Sequence, residues 1–145
     1  RLAGTGVVVH SLPCLGEWDI GAARRLALTA NEHGVQLLAA HASHAHGLAV
    51  QTRRWGFRGL VVVHRRVDVV PRGGLLNRRK YAAPDAYLAI SHAVRDALVN
   101  GGVAAGKIRH VDPEDVAETV LFLASERGRG VTGVELHVNA GLWIG

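Results

Sequence analysis

Short apolar runs alternate along this chain with amphipathic stretches and turn residues, the pattern of strands buried on both faces with helices laid over them. Residues 7–10 read as a strand. Asp19 then caps a helical stretch in which Ile20, Ala23, Leu26 and Ala27 share one face while Arg24 and Arg25 face water, and His33-Gly34 ends it. A strand at 35–40, a helix at 44–55 and a Val-rich strand at 60–64 follow. Residues 65–74, punctuated by Pro71 and Gly73-Gly74, read as a loop, and 75–82 as a short helix. A fourth strand is expected at 86–90. Ser91 suits the N-cap of a helix carrying Val94, Ala97 and Leu98, which Gly101-Gly102 stops. A fifth strand is expected at 107–111. Asp112-Pro113-Glu114-Asp115 sets a capping carboxylate, a proline at the first helical position and acids in the first turn against the helix dipole. Val116, Val120 and Leu123 continue at helical spacing, residues 128–130 turn, and 134–138 alternate as a last strand.

Six strands alternating with helices predict an α/β fold, a Rossmann-like three-layer sandwich around a mostly parallel sheet. The 145 residues suffice for one domain and exclude a two-lobed enzyme. In such a sheet ligands bind beyond the carboxyl ends of the strands, which directs attention to residues 41–46 and 65–68, Ser91 and Asp112. No apolar run approaches the roughly 18 to 20 residues of a bilayer crossing, so a soluble chain without a transmembrane segment is expected. A single cysteine, Cys14, makes no intrachain disulfide and suits a reducing cytoplasm. The chain contains no Met and opens at Arg1 without a signal-peptide pattern, which reads as an excised or processed piece.

His41-Ala42-Ser43-His44-Ala45-His46 places three imidazoles at a predicted strand-to-helix turn. They suit acid–base work on a hydroxyl, because imidazole titrates near neutral pH. Zinc ligation is a weaker reading: no carboxylate or thiolate stands nearby, and three ligands in one tight turn seldom point at a common centre. A polar loop that merely caps a helix is the plain alternative. Between Arg53 and Lys80, nine Lys and Arg stand against Asp68 alone. Arg65, Arg66, Asp68 and Lys80, with Ser91, are the candidate binding residues for a phosphate or other anionic group; a solvated basic face is the competing reading. Two Tyr and two Phe offer little base stacking, and no nucleic-acid motif is present. The dinucleotide signature fails, because Gly4-Thr5-Gly6 precedes the first strand instead of following it. Neither Tyr81 nor Tyr87 has a lysine four residues on, so a tyrosine–lysine reduction pair is absent.

Several motifs in order, Trp18-Asp19-Ile20-Gly21-Ala22-Ala23-Arg24-Arg25-Leu26, the 41–46 imidazole run, Val63-His64-Arg65-Arg66-Val67-Asp68, Lys80-Tyr81 and Ala89-Ile90-Ser91-His92-Ala93-Val94-Arg95, resemble the N-terminal acceptor domain of family-4 (GT-B) glycosyltransferases over about residues 6–111. The resemblance implies acceptor-side roles for His44, His41 and His46 and a nucleotide-sugar or phosphorylated acceptor as partner. Ala39 and Ala42 stand where that family commonly has His and Asp. From about residue 111, Asp112-Pro113-Glu114-Asp115-Val116-Ala117, Leu121-Phe122-Leu123-Ala124-Ser125 and Val131-Thr132-Gly133-Val134-Glu135-Leu136-His137-Val138-Asn139-Ala140-Gly141 resemble the C-terminal helix and last strand of short-chain dehydrogenases, with Asn139-Ala140 in place of the usual Asp-Gly. In that family the segment packs the sheet and builds subunit contacts, which implies a homodimer. The sequence thus reads as two Rossmann-type pieces joined near Val111-Asp112. The leading expectation is a glycosyltransferase-like acceptor domain, a fragment or chimera without full activity alone, binding no cofactor and no metal. The alternatives are a dehydrogenase-related NAD(P)-binding oxidoreductase and a non-catalytic α/β scaffold.

Overall fold

A computed structural model describes residues 9–71, 73–111 and 113–130. The first helix, α1 (Ile20–Glu32), starts where expected because Asp19 Oδ1 accepts the Ala22 amide at 2.9 Å and Oδ2 the Leu15 amide at 3.1 Å. Its buried stripe is Ala22, Ala23, Ala27 and Ala30, whereas Ile20, in the first turn, is exposed. There follow β1 (Leu37–Ala40), α2 (Ser43–Gln51), β2 (Leu60–Arg65), α3 (Leu75–Ala82), β3 (Ala86–Ala89), α4 (His92–Asn100), β4 (Ile108–His110) and α5 (Pro113–Ala124). The single helix expected over 44–55 breaks into α2 and a 3₁₀ turn, Thr52–Trp55. Thr52 is buried there and its hydroxyl donates back to the Ala49 carbonyl at 2.6 Å, a side-chain bond that competes with the regular ladder.

The four strands form one parallel sheet in the order β1-β2-β3-β4. Six were expected; the described residues contain four. His10 and Val9 lie outside any strand, the rest of the 7–10 segment falls beyond the described residues, and so does the whole of 134–138. The chain is therefore an α/β protein with a Rossmann-like parallel sheet. Val61, Val62 and Val63 are all buried, as a strand covered on both faces requires. On one face Val61, Val63, Tyr87 and Ala89 meet Ala27 and Ala30 of α1, Ala49 of α2, Tyr81 of α3 and Val94 and Leu98 of α4. On the other, Val62, Ala86 and Leu88 cluster with Leu37 and Val111. Helices α1 to α4 thus all supply one face, so the second helical layer of the expected sandwich is not among these four. No helix among the described residues is long and apolar enough to cross a membrane.

The segment before α1 lies against α2 at Gly47. A Cβ there would stand 2.6 Å from the Glu17 carbonyl oxygen and 2.7 Å from Glu17 Cβ, closer than carbon tolerates. Gln51 Nε2 holds the same carbonyl at 2.7 Å. Gly47→Ala is expected to cost about 1–3 kcal/mol by forcing this backbone apart. Urea denaturation reads the loss, and an unchanged midpoint would mean that the segment gives way freely.

Candidate functional site

Ala40 pairs with Val63, so the chain leaving β1 and the end of β2 reach the carboxyl edge side by side. That register stacks His41 against His64, with ring centroids 4.1 Å apart and a 32° tilt. Arg66 Nη2 lies 3.3 Å from His41 Nδ1. A guanidinium can only donate, so Nδ1 is the acceptor and a neutral His41 carries its proton on Nε2. His64 has its pKa lowered, first by burial and then by the neighbouring His41 and Arg66. Arg65 donates from Nη2 to the Val69 carbonyl at 3.0 Å and lies over the Tyr81 ring at 5.9 Å, while its Nε is buried without a hydrogen-bond partner. These groups line a cleft of about 190 Å³ together with Ser43 and His46. Helix α2 starts at its rim. The N-cap residue, Ala42, has only a methyl group, so no side chain caps the first-turn amides.

The three imidazoles read from the sequence part company. His41 lines the cleft, and His44 is exposed on the first turn of α2. His46 is 2% exposed, with Nε2 3.2 Å from the Lys80 carbonyl and its ring edge-on to Tyr81 at 5.0 Å. Burial, seconded by the Lys80 charge, lowers the His46 pKa to about 4, so the ring is neutral at pH 7 and donates to that carbonyl. Among the described residues no group of three or more His, Cys, Asp or Glu is placed to hold a metal ion.

The basic cluster divides in the same way. Lys80 is buried, donates from Nζ to Glu17 Oε2 and lies 3.5 Å from the Ser43 carbonyl. This bond holds the Glu17 carboxyl below the usual carboxylate range. Arg53 pairs with Asp85, whereas Arg54, Arg58, Arg78 and Arg79 are exposed. Among the described residues of the cluster, only Arg65 and Arg66 line the cleft. Asp68 is exposed on the following loop, outside that lining. Ser91 caps α4, its Oγ accepting the Val94 amide at 3.2 Å. Sequence reasoning missed Glu17 and gave His64 no role. The second was within reach, since His64 immediately precedes the two arginines; nothing local marks Glu17 as the partner of a lysine 63 residues away. The Tyr87 hydroxyl donates to the Tyr81 carbonyl at 2.8 Å in the core, and burial pushes its pKa up. It is thereby withdrawn from proton transfer to a ligand.

Compared with known families, residues 91–143 match the model described as enoyl-(acyl carrier protein) reductase, a short-chain-dehydrogenase-type family. The match takes in α4, β4 and α5 and begins well before the join read at Val111-Asp112. No curated protein and no solved structure matches the chain. Nothing in the comparisons supports the glycosyltransferase resemblance over 6–111. The short-chain-dehydrogenase resemblance, given second place from the sequence, is the one they support.

Proposed function

We propose that this chain is a Rossmann-like domain related to short-chain dehydrogenases, with its ligand site at the carboxyl edge of β1 and β2. The observation that carries the reading is the family match over residues 91–143. In this reading Arg65 and Arg66 bind the charged part of a nicotinamide dinucleotide, with His41 and His64 beside them. Lys80 and Ser91 act one step back, Lys80 by fixing the Ser43 carbonyl and Ser91 by holding α4. Asp68 stands near the site, on the segment between β2 and α3. Hydride transfer would call for a proton donor that Tyr87, committed to the core, does not provide. In this reading the domain acts as a binding unit of oxidoreductase type, and Tyr87 is not its proton donor. A homodimer through its C-terminal segment belongs to the same reading.

A second reading, an acceptor-side glycosyltransferase-like domain, is favoured by the stacked His41–His64 pair, whose imidazoles suit acid–base work on a sugar hydroxyl, with solvent-exposed His44 nearby. His46, neutral and hydrogen-bonded in the core, shapes the turn in either case. Thermal-shift titration separates the two. Stabilisation by NAD(H) or NADP(H) is expected; stabilisation by UDP- or GDP-sugars alone overturns the dehydrogenase-type reading in favour of the second.

A further inference from the structure

We propose that the β1/β2 cleft is a receptor for a phosphate monoester dianion, gripped by Arg65 and Arg66 at the open amino end of α2. The proposal rests on the reading of this edge as the ligand site and names the chemistry it takes. Size comes first. At about 190 Å³ the cleft falls short of the roughly 300–1,000 Å³ that encloses a whole drug-sized ligand, so it suits one small group, free or borne on something larger.

Charge and donors select that group. Among the described residues the lining contains two arginines and three imidazoles and no carboxylate. Arg66 Nη2 lies 3.3 Å from His41 Nδ1, a partner that carries no negative charge, so the guanidinium charge is not compensated there. Arg65 is anchored by Nη2 to Val69, while Nε, a charged N–H that is shut away from water, has no acceptor. Such a donor is unfavourable until a small shift of the side chain brings it an acceptor. The first-turn amides of α2, which Ala42 cannot cap, add the positive end of a helix dipole beside Ser43. The donors therefore come from two elements, the end of β2 and the start of α2. A planar carboxylate presents two oxygens in one fork, whereas a tetrahedral phosphate offers three and can answer both elements.

The test is isothermal titration of the full chain with inorganic phosphate, a hexose 6-phosphate and a nucleoside 5′-monophosphate at constant ionic strength, with acetate as a control. Saturable one-to-one binding of phosphate, and none of acetate, is expected. A monoester that binds more tightly than inorganic phosphate identifies a borne group, and equal affinities identify free phosphate. Arg65→Lys keeps the charge and removes Nε–H; it should weaken binding about tenfold, and Arg66→Ala at least as much. Arg54→Ala, which removes an exposed charge outside the cleft, should leave affinity unchanged. Should Arg65→Lys fail to fold, the exposed Arg66 carries the test. Absence of saturable binding, acetate binding as tightly as phosphate, or equal losses in Arg54→Ala and Arg66→Ala overturns the proposal. Phosphate binding without any response to nicotinamide dinucleotides would remove the dehydrogenase-type reading and leave this site standing; dinucleotide binding indifferent to Arg65→Lys would do the reverse.

Discussion

Lowering the pH from 7 to 4 should cost this domain about 3 kcal/mol through His46 alone. In the unfolded chain an imidazole takes up its proton near pH 6.5, whereas in the fold His46 does so only at about 4. Above 6.5 both states are neutral and the full stability is present. Between 6.5 and 4 the unfolded chain binds the proton and the folded one does not, so stability falls as the pH falls. Below about 4 the loss is complete. His64, whose pKa is also lowered, adds to the slope in the same direction, and Glu17 adds a loss only at more acid pH, as its carboxylate takes a proton. His46→Phe keeps an aromatic ring against Tyr81 and removes the titrating group. Urea midpoints at pH 7 and pH 4.5 should converge in that variant relative to the parent chain. An equal acid loss in both proteins would show that His46 is not the group responsible.

Glu17→Ala should be nearly as costly, at about 3 kcal/mol, because it leaves the Lys80 ammonium buried without its counter-charge. Lys80 is 4% exposed and the Glu17 side chain 26%, so water reaches the carboxylate and holds the loss towards the lower end of what breaking a buried pair costs. The penalty arises from the stranded ammonium and not from any missing glutamate packing. Replacing both, Glu17→Gln with Lys80→Met, should therefore recover most of it. A double-mutant cycle by denaturant unfolding measures the coupling, and simple additivity of the two single changes would refute the account.

What could be read from the sequence was what depends on near neighbours. Asp19 and Ser91 cap their helices within four residues of chain, and both helices begin where those side chains indicate. The Val61–Val63 run is buried on both faces, and its strand was equally plain. The histidine run shows the limit. At 100° per residue, His44 and His46 are turned about 200° from each other on a helix, which sends one to water and the other to the core. Density in the string suggested a shared acid–base role, and helical phase separates them. Distant pairings were not legible at all: Glu17 finds Lys80 across 63 residues, and His41 meets His64 because of a strand register that no local pattern announces. The same holds for function. Motifs over 6–111 pointed to glycosyltransferases, yet the supported likeness lies in the C-terminal part and reaches back to Ser91.

Each strand of the sheet hydrogen-bonds to the one that follows it in the chain, from β1 through β4. Among the described residues no strand has to wait for a distant partner, so this part of the sheet can grow by accretion, one strand and helix at a time, as the polypeptide leaves the ribosome. Glu17 is synthesised long before Lys80, however, so its carboxylate gains its counter-charge only when α3 is in place, after α2 has already taken hold of its backbone carbonyl.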